Sequence, residues 1–416
     1  MEIFIDNYKG FSDTFISLKD VNFFVGDNST GKTAILNLLE LISQPNFWIA
    51  PDFNSENIEF GYFSEMVSLN SSNRKSFSIG VNKNTSRASL SEKQFIWMKF
   101  VEKELTPEVS ECKFIKDNKT VWCKISDNSI SYQTKDMGSN ETRFSEWVRD
   151  FSNFCPSKSI EIKHTPIFGM IRSIVEEDMR GVEDHSHGRF TVSGNYEHMY
   201  WMAPVRAKAK RWYESYKLSY SPEGTHTPLL LKKFQKNNSL KTKSFRDSLI
   251  EFGKNSGLFD ELNVKDDKPE NPFSVYVNYG KLSLNIANVG YGVSQVLPLV
   301  SEMLSSKGNS FAIQQPEVHL HPRAQAAFGE LVFKVATKNK NRVIIETHSE
   351  YLINRYRFTT NKSKSKVDAQ VLFFSRDENG THIDTIPIDQ NGHYSGNIPR
   401  KFLSFFIDEE LKMLEM

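Results

Sequence analysis

The sequence predicts an α/β fold, with a mixed sheet drawn from both ends of the chain and an α+β region inserted between them. Three observations predict it. Near the N-terminus an apolar run of buried-strand length, Val21-Asn22-Phe23-Phe24-Val25, enters a glycine-rich turn and then a helix-spaced segment. Near the C-terminus the strands Ser310 to Ile313 and Arg342 to Glu346 each run into a polar cluster, as strands do when they deliver ligand groups at their C-terminal ends. Between them the periodicity is irregular and mixes both element types.

In order along the chain, Met1 to Asn7 and Thr14 to Leu18 read as strands around a turn, followed by the strand at Val21. Ala34, Ile35, Leu38, Leu39 and Ile42 recur at helical spacing, and this helix ends before Pro45. Ile58 to Val67 reads as a loop and Ser76 to Val81 as a strand. The middle offers strands at Thr120 to Ile125 and Ser159 to Lys163, and helices at Ser145 to Phe154 and Thr165 to Met179. Ser219 to Thr227 is turn-rich and Lys232 to Arg246 is Lys-rich. Regular signals return with strands at Phe273 to Tyr279 and Lys281 to Ile286 and helices at Ser294 to Leu304 and Pro322 to Thr337. The expected division is 1–90 and 271–416 for the two parts of the head, with 91–270 inserted.

Composition bounds the function. With 52 Lys+Arg against 51 Asp+Glu in 416 residues, no global charge advertises a polyanionic partner, so any such affinity must be local. Three cysteines, Cys112, Cys123 and Cys155, are too few and too widely spaced for a disulfide framework or a four-cysteine zinc site. No run approaches a membrane span and the N-terminus carries no secretory pattern, so the expectation is a cytoplasmic protein with no membrane partner. The 32 phenylalanines carry no functional weight.

The strongest signal is Gly26-Asp27-Asn28-Ser29-Thr30-Gly31-Lys32-Thr33, a Walker A match between an apolar strand and an amphipathic helix. Glycines let backbone N–H groups curl around phosphate oxygens, and the helix N-terminus adds partial positive charge. Lys32 is then placed to bridge the terminal phosphates of ATP, and the Thr33 hydroxyl to ligate Mg2+.

Three C-terminal pieces follow. Gly290-Tyr291-Gly292-Val293-Ser294 is a glycine turn entering an apolar helix, again an anion-facing geometry. Gln314-Gln315-Pro316-Glu317-Val318-His319-Leu320-His321-Pro322 and Glu346-Thr347-His348-Ser349 are the two polar clusters at strand ends.

With these motifs and the opening Asn7-Tyr8-Lys9-Gly10-Phe11, the chain resembles the ABC-type ATPases of the SMC/RecF/OLD group, in particular standalone ATPases related to the OLD (overcoming lysogenisation defect) proteins. The resemblance covers residues 1–45 and roughly 275–357, with looser likeness at Ala203-Pro204-Val205-Arg206 and Pro399 to Phe406. It implies an ABC-type P-loop head holding ATP and Mg2+ through Gly26 to Thr33, with Lys9 near the phosphates. It further implies that Gly290, Gly292 and Ser294 reach the nucleotide of a second subunit, that His348 senses the γ-phosphate, and that Leu320-His321 meets its copy across a dimer.

One departure bears on chemistry. The group usually ends the strand before Pro-Glu in two acidic residues; here Gln314 stands at the Mg2+ position and Gln315 at the water-polarising one. An amide orients water but neither accepts its proton nor offers negative charge to a hard cation. Either Glu317 or another carboxylate substitutes and turnover is slow, or ATP is held persistently. The favoured expectation is binding with weak hydrolysis.

Between 206 and 246 eleven Lys/Arg face two acids, with Trp212, Tyr213, Tyr216 and Tyr220 interleaved, which suits DNA, RNA or an acidic protein. Asp184-His185-Ser186-His187 is too slight a pattern for a metal site. The roughly 60 residues after 357 are too few for a nuclease domain. The resemblance then implies a nucleotide-dependent homodimer or oligomer serving as sensor or scaffold for a separately encoded effector, in anti-phage defence. The alternative is a RecF-like repair or recombination ATPase gripping DNA through its basic segment.

Overall fold

The computed structural model describes residues 1–54, 58–82, 95–116, 119–127, 129–136, 143–150, 155–156, 158–161, 199–214, 219–236, 239–266, 272–363 and 366–406. The helix expected at Thr165 to Met179 and the Asp184 to His187 pattern lie outside them. The chain divides into two compact units: Met1–Leu18, Leu41–Tyr196 and Arg376–His382 form one, and Lys19–Glu40, Glu197–Ser375 and Ile383–Met416 the other.

The first unit is built on an eight-stranded sheet. Its strands are β1 (Glu2–Asp6), β2 (Thr14–Ser17), β4 (Ser76–Asn82), β5 (Phe95–Lys103), β6 (Thr106–Lys116), β7 (Lys119–Ser126), β8 (Ser129–Asp136) and β9 (Lys158–Glu161), in the order β2-β1-β4-β5-β6-β7-β8-β9. Every neighbouring pair is antiparallel. The middle strands therefore continue the sheet begun by the N-terminal residues. Phe4, Phe95, Trp97, Phe144, Trp147 and Val148 pack together in this unit, and Phe53 meets the rings of Phe47, Phe60, Phe77 and Phe100 at 5.1–5.9 Å. Much of the phenylalanine content is thus core.

The second unit carries the α/β part. Its main sheet contains β3 (Val21–Gly26), β10 (Met199–Met202), β14 (Ser310–Gln314), β15 (Arg342–Glu346), β16 (Ala369–Asp377) and β17 (Gly380–Ile388), in the order β10-β14-β15-β3-β16-β17. The first five are mutually parallel. A smaller antiparallel sheet joins β11 (Glu261–Lys265), β12 (Ser274–Tyr279) and β13 (Leu282–Asn285). All six residues of β3 are buried, as a central parallel strand requires.

The helices are α1 (Lys32–Ser43), α2 (Pro45–Ile49), α3 (Phe63–Met66), α4 (Phe144–Arg149), α5 (Thr227–Lys236), α6 (Leu240–Ser256), α7 (Tyr291–Ser305), α8 (Pro322–Lys334) and α9 (Glu350–Ser363). The helix expected to reach Thr337 ends at Lys334 and passes into a π-helical turn, Val335–Asn339. Phe23 of β3, Val296 and Val300 of α7, Phe328 of α8 and Tyr356 of α9 share one core. Gly329 lets α8 approach α9, because a Cβ there would lie 2.1 Å from the Leu352 carbonyl oxygen. Among the described residues no helix is long and apolar enough to cross a membrane.

Candidate nucleotide site

Parallel order places the C-terminal ends of β3, β15 and β14 side by side, and their register pairs Gln314 with Glu346 and Glu346 with Phe24. Three sequence-distant polar clusters therefore meet at one sheet edge.

The loop after β3 adopts a phosphate-cradle backbone. Gly26 (φ 141°), Ser29 (φ 61°) and Gly31 (φ 88°) all have positive φ. At Gly26 a Cβ would lie 2.0 Å from the Phe374 carbonyl oxygen, so only glycine fits. Thr30 is buried and its hydroxyl donates to Asp27 O at 2.8 Å, tying the turn. The Lys32 ammonium folds back onto the loop and donates to Gly26 O at 2.9 Å and Asp27 O at 2.6 Å. Burial pushes its pKa below the usual lysine value, opposed by Glu346 and Asp27. Asp27, Asn28 and Ser29 are exposed along the rim.

The Thr33 hydroxyl reaches the Glu346 carboxylate, with 3.0 and 2.9 Å to its two oxygens. Burial raises the Glu346 pKa, while Thr33, Lys32 and a hydrogen bond from the Gln314 side chain lower it. Glu317 accepts from the His348 backbone N–H at 2.7 Å and the Thr347 hydroxyl at 2.8 Å. Burial raises its pKa too, with the neighbouring Glu346 charge adding to the rise. Glu317, half-buried, and Glu346, buried, therefore form a pair of interacting carboxylates beside the loop. Gln315, at φ 40°, donates its N–H to Glu346 O at 2.9 Å. The His348 imidazole is pushed toward its neutral form by burial and by Lys32, and its ring lies 6.2 Å from Phe405.

The glycine turn at α7 sits next to the Pro-Glu loop of the same chain. Gly290 is the N-cap and its missing Cβ faces open space. Gly292 packs on His319 O, at 2.8 Å from where its Cβ would be, and the Tyr291 ring meets His319 at 4.8 Å. The Ser294 hydroxyl donates to Tyr291 O at 2.8 Å. Leu320 is buried, and His321 is exposed while its Nδ1 caps α8. Lys9 belongs to the first unit, where burial lowers its pKa against the opposing charge of Glu65.

A family model described as an AAA ATPase domain matches residues 1–353. The chain belongs to the AAA ATPase domain family. It is 27% identical over 143 residues to the OLD nuclease of Thermus scotoductus, a match covering 32% of this chain and 27% of that protein's length. Among solved structures it is similar to an SMC head bound to the C-winged helix domain of ScpA, at 11% identity and TM-score 0.47, covering 94% of this chain and 98% of the other. It is likewise similar to the SMC head domain from Thermotoga maritima, at 11% identity and TM-score 0.36, covering 92% and 97%.

In this AAA ATPase domain the geometry sharpens two readings that the sequence left open. The basic segment is not wholly a surface: Arg206 is buried, and so is Lys232, which pairs with Asp266 at 3.0 Å and lies 4.6 Å from the Phe273 ring centre. Lys208, Lys210, Arg211 and Trp212 remain exposed. The sequence also left open which carboxylate stands in for the acidic pair that Gln314 and Gln315 replace, and Glu346 lies beside Gln314 on the adjacent strand. Glu346 was missed because its motif drew attention to His348; an acid ending a strand beside Thr-His was the available signal.

Proposed function

We propose that the protein is an ATP-binding, weakly hydrolysing ABC-type ATPase that self-associates with nucleotide and acts as sensor or scaffold for a separately encoded effector in anti-phage defence. The observation that carries the reading is the Thr33–Glu346 contact, with Glu317 held against His348 and Thr347. A threonine hydroxyl, a carboxylate and an amide are the hard oxygen donors suited to Mg2+, so Thr33, Glu346 and Gln314 fit that ion, directly or through water. When bound, Mg2+ supplies positive charge to the β- and γ-phosphates. Lys32 exchanges its loop carbonyls for phosphate oxygens. Glu317, the second carboxylate, orients and polarises the attacking water, with Gln315 at its side, and His348 meets the γ-phosphate.

Gly290, Gly292 and Ser294 offer a helix N-terminus to the nucleotide of a second copy, which makes association depend on ATP. The defence setting and the effector rest on the motif resemblance to the OLD group; the match to the OLD nuclease itself spans 27% of that protein's length. Mass measurement of the native particle with and without ATP tests the assembly; the expected result is an ATP-dependent increase, absent in Lys32→Ala. An unchanged mass in the wild type removes the assembly mechanism whatever the turnover rate. Exposed Lys208, Lys210, Arg211 and Trp212 favour a second reading, a DNA-gripping repair or recombination ATPase.

A further inference from the structure

Arg206 is the charged residue of the loosely matched Ala203-Pro204-Val205-Arg206 run, and its side chain is buried in the second unit. It is 2% exposed and lies four residues past the end of the edge strand β10. Its Nη2 donates to the backbone oxygen of Gln314 at 2.9 Å, at the very strand end that supports the candidate site. Its own backbone is clamped by Gln295 of α7, one residue past Ser294. Arg206 N–H donates to Gln295 Oε1 at 3.3 Å, and Gln295 Nε2 donates to Arg206 O at 3.3 Å. Gln295 is itself 1% exposed.

Two more guanidinium donors, Nε and Nη1, find no acceptor among the described residues. A buried cation with idle donors carries a desolvation cost that surface arginines avoid. Burial lowers this guanidinium to about 10, which still leaves it charged at neutral pH, and the charge opposing that shift is Glu317. The residue thus ties the helix entered by the glycine turn to the strand end at Gln314, three residues before Glu317.

We propose that Arg206 is a positioning residue for ATP hydrolysis: clamped to α7 by Gln295 and to β14 by Gln314, it holds the Glu317 carboxylate in place by charge. This rests on the hydrolysis reading above and adds a route by which engagement of α7 with a second copy reaches the hydrolytic carboxylate. The effect falls on turnover rather than nucleotide affinity, since no loop residue from Gly26 to Thr33 touches Arg206 in the contacts described.

The test measures kcat for ATP and the equilibrium affinity for a fluorescent ATP analogue in the wild type, Arg206→Met, Arg206→Lys, Glu317→Gln, Gln295→Leu and the Arg206→Met/Glu317→Gln double variant. Arg206→Met is expected to lower kcat 10- to 100-fold with affinity within twofold, and Arg206→Lys, which keeps the charge, to recover most of it. The double variant is expected to be no slower than Glu317→Gln, because residues acting through one group are not additive. Should Arg206→Met not fold, Gln295→Leu takes its place, with a 3- to 10-fold loss of kcat at unchanged affinity. A kcat within twofold of wild type in the substituting variant, or a multiplicative double variant, overturns the proposal. A Glu317→Gln protein at the wild-type rate, or a wild type with no turnover, overturns the hydrolysis reading and this inference with it.

Discussion

Glu346→Gln isolates the carboxylate that the structure adds to the site. The substitution keeps an acceptor for the Thr33 hydroxyl, now 2.9–3.0 Å from the carboxylate oxygens, and removes only the charge. At an effective dielectric of about 20, two unit charges about 4 Å apart interact by about 4 kcal/mol, and a divalent cation doubles that figure before the cost of desolvation is subtracted. Supporting groups at metal sites cost about 10- to 100-fold in metal affinity when lost, or about 1.4–2.7 kcal/mol. The expected result is therefore a 10- to 100-fold rise in the Mg2+ concentration that half-saturates nucleotide-dependent turnover, with ATP binding in chelator little changed. Damage to the fold predicts a different outcome. Burial raises the Glu346 pKa, so the folded chain holds this proton more tightly than the unfolded one, and stability falls as pH rises from about 4.5 through the folded value. Removing the charge abolishes that loss, and the nucleotide-free variant should melt no lower than wild type at pH 7. A half-saturating Mg2+ concentration within twofold of wild type refutes the reasoning.

Three further outcomes are expected. Gly329→Ala drives a Cβ to 2.1 Å from the Leu352 backbone oxygen, which cannot swing away as a side-chain tip could, and should cost about 1–3 kcal/mol in denaturant melts; an unchanged midpoint contradicts the close α8–α9 approach. In the first unit, buried Lys113 donates to Trp147 O and Asp150 O, and burial lowers it to about 8 from 10.5. Between those values the unfolded chain binds the extra proton, so stability gains about 3 kcal/mol as pH rises, and urea melts of Lys113→Met should lack that rise. Charge reversal at Lys208, Lys210 and Arg211 should abolish any steeply salt-dependent DNA binding, while reversal at the exposed Lys362, outside the basic segment, leaves it intact; equal loss in both refutes the placement.

What could be read from residues alone was whatever is encoded within one short stretch. The Gly26 to Thr33 loop is eight consecutive residues between a strand and a helix, and Gly26 and Gly31 take the positive φ that its turn requires. The strands at Val21, Ser310 and Arg342, and the α/β class they imply, follow from apolar runs of the right length. The chemistry of the site was not legible in that way, because it is shared among residues near 33, 206, 295, 317 and 346.

Gln314 and Gln315 read as a loss of acidic groups only while β14 is considered alone. Parallel register sets Glu346 beside Gln314, and Glu317, which its motif had already named, accepts the backbone N–H of His348, so it is the second carboxylate that no fixed spacing names. Arg206 was counted among surface cations for the same reason: charge is written in the sequence, while burial is decided by what packs around it. The sequence by itself determined that a phosphate-binding loop exists and which strands flank it. Only the tertiary structure decided which side chains surround that loop, since strand order and register, and not adjacency along the chain, bring their charges within reach of one another.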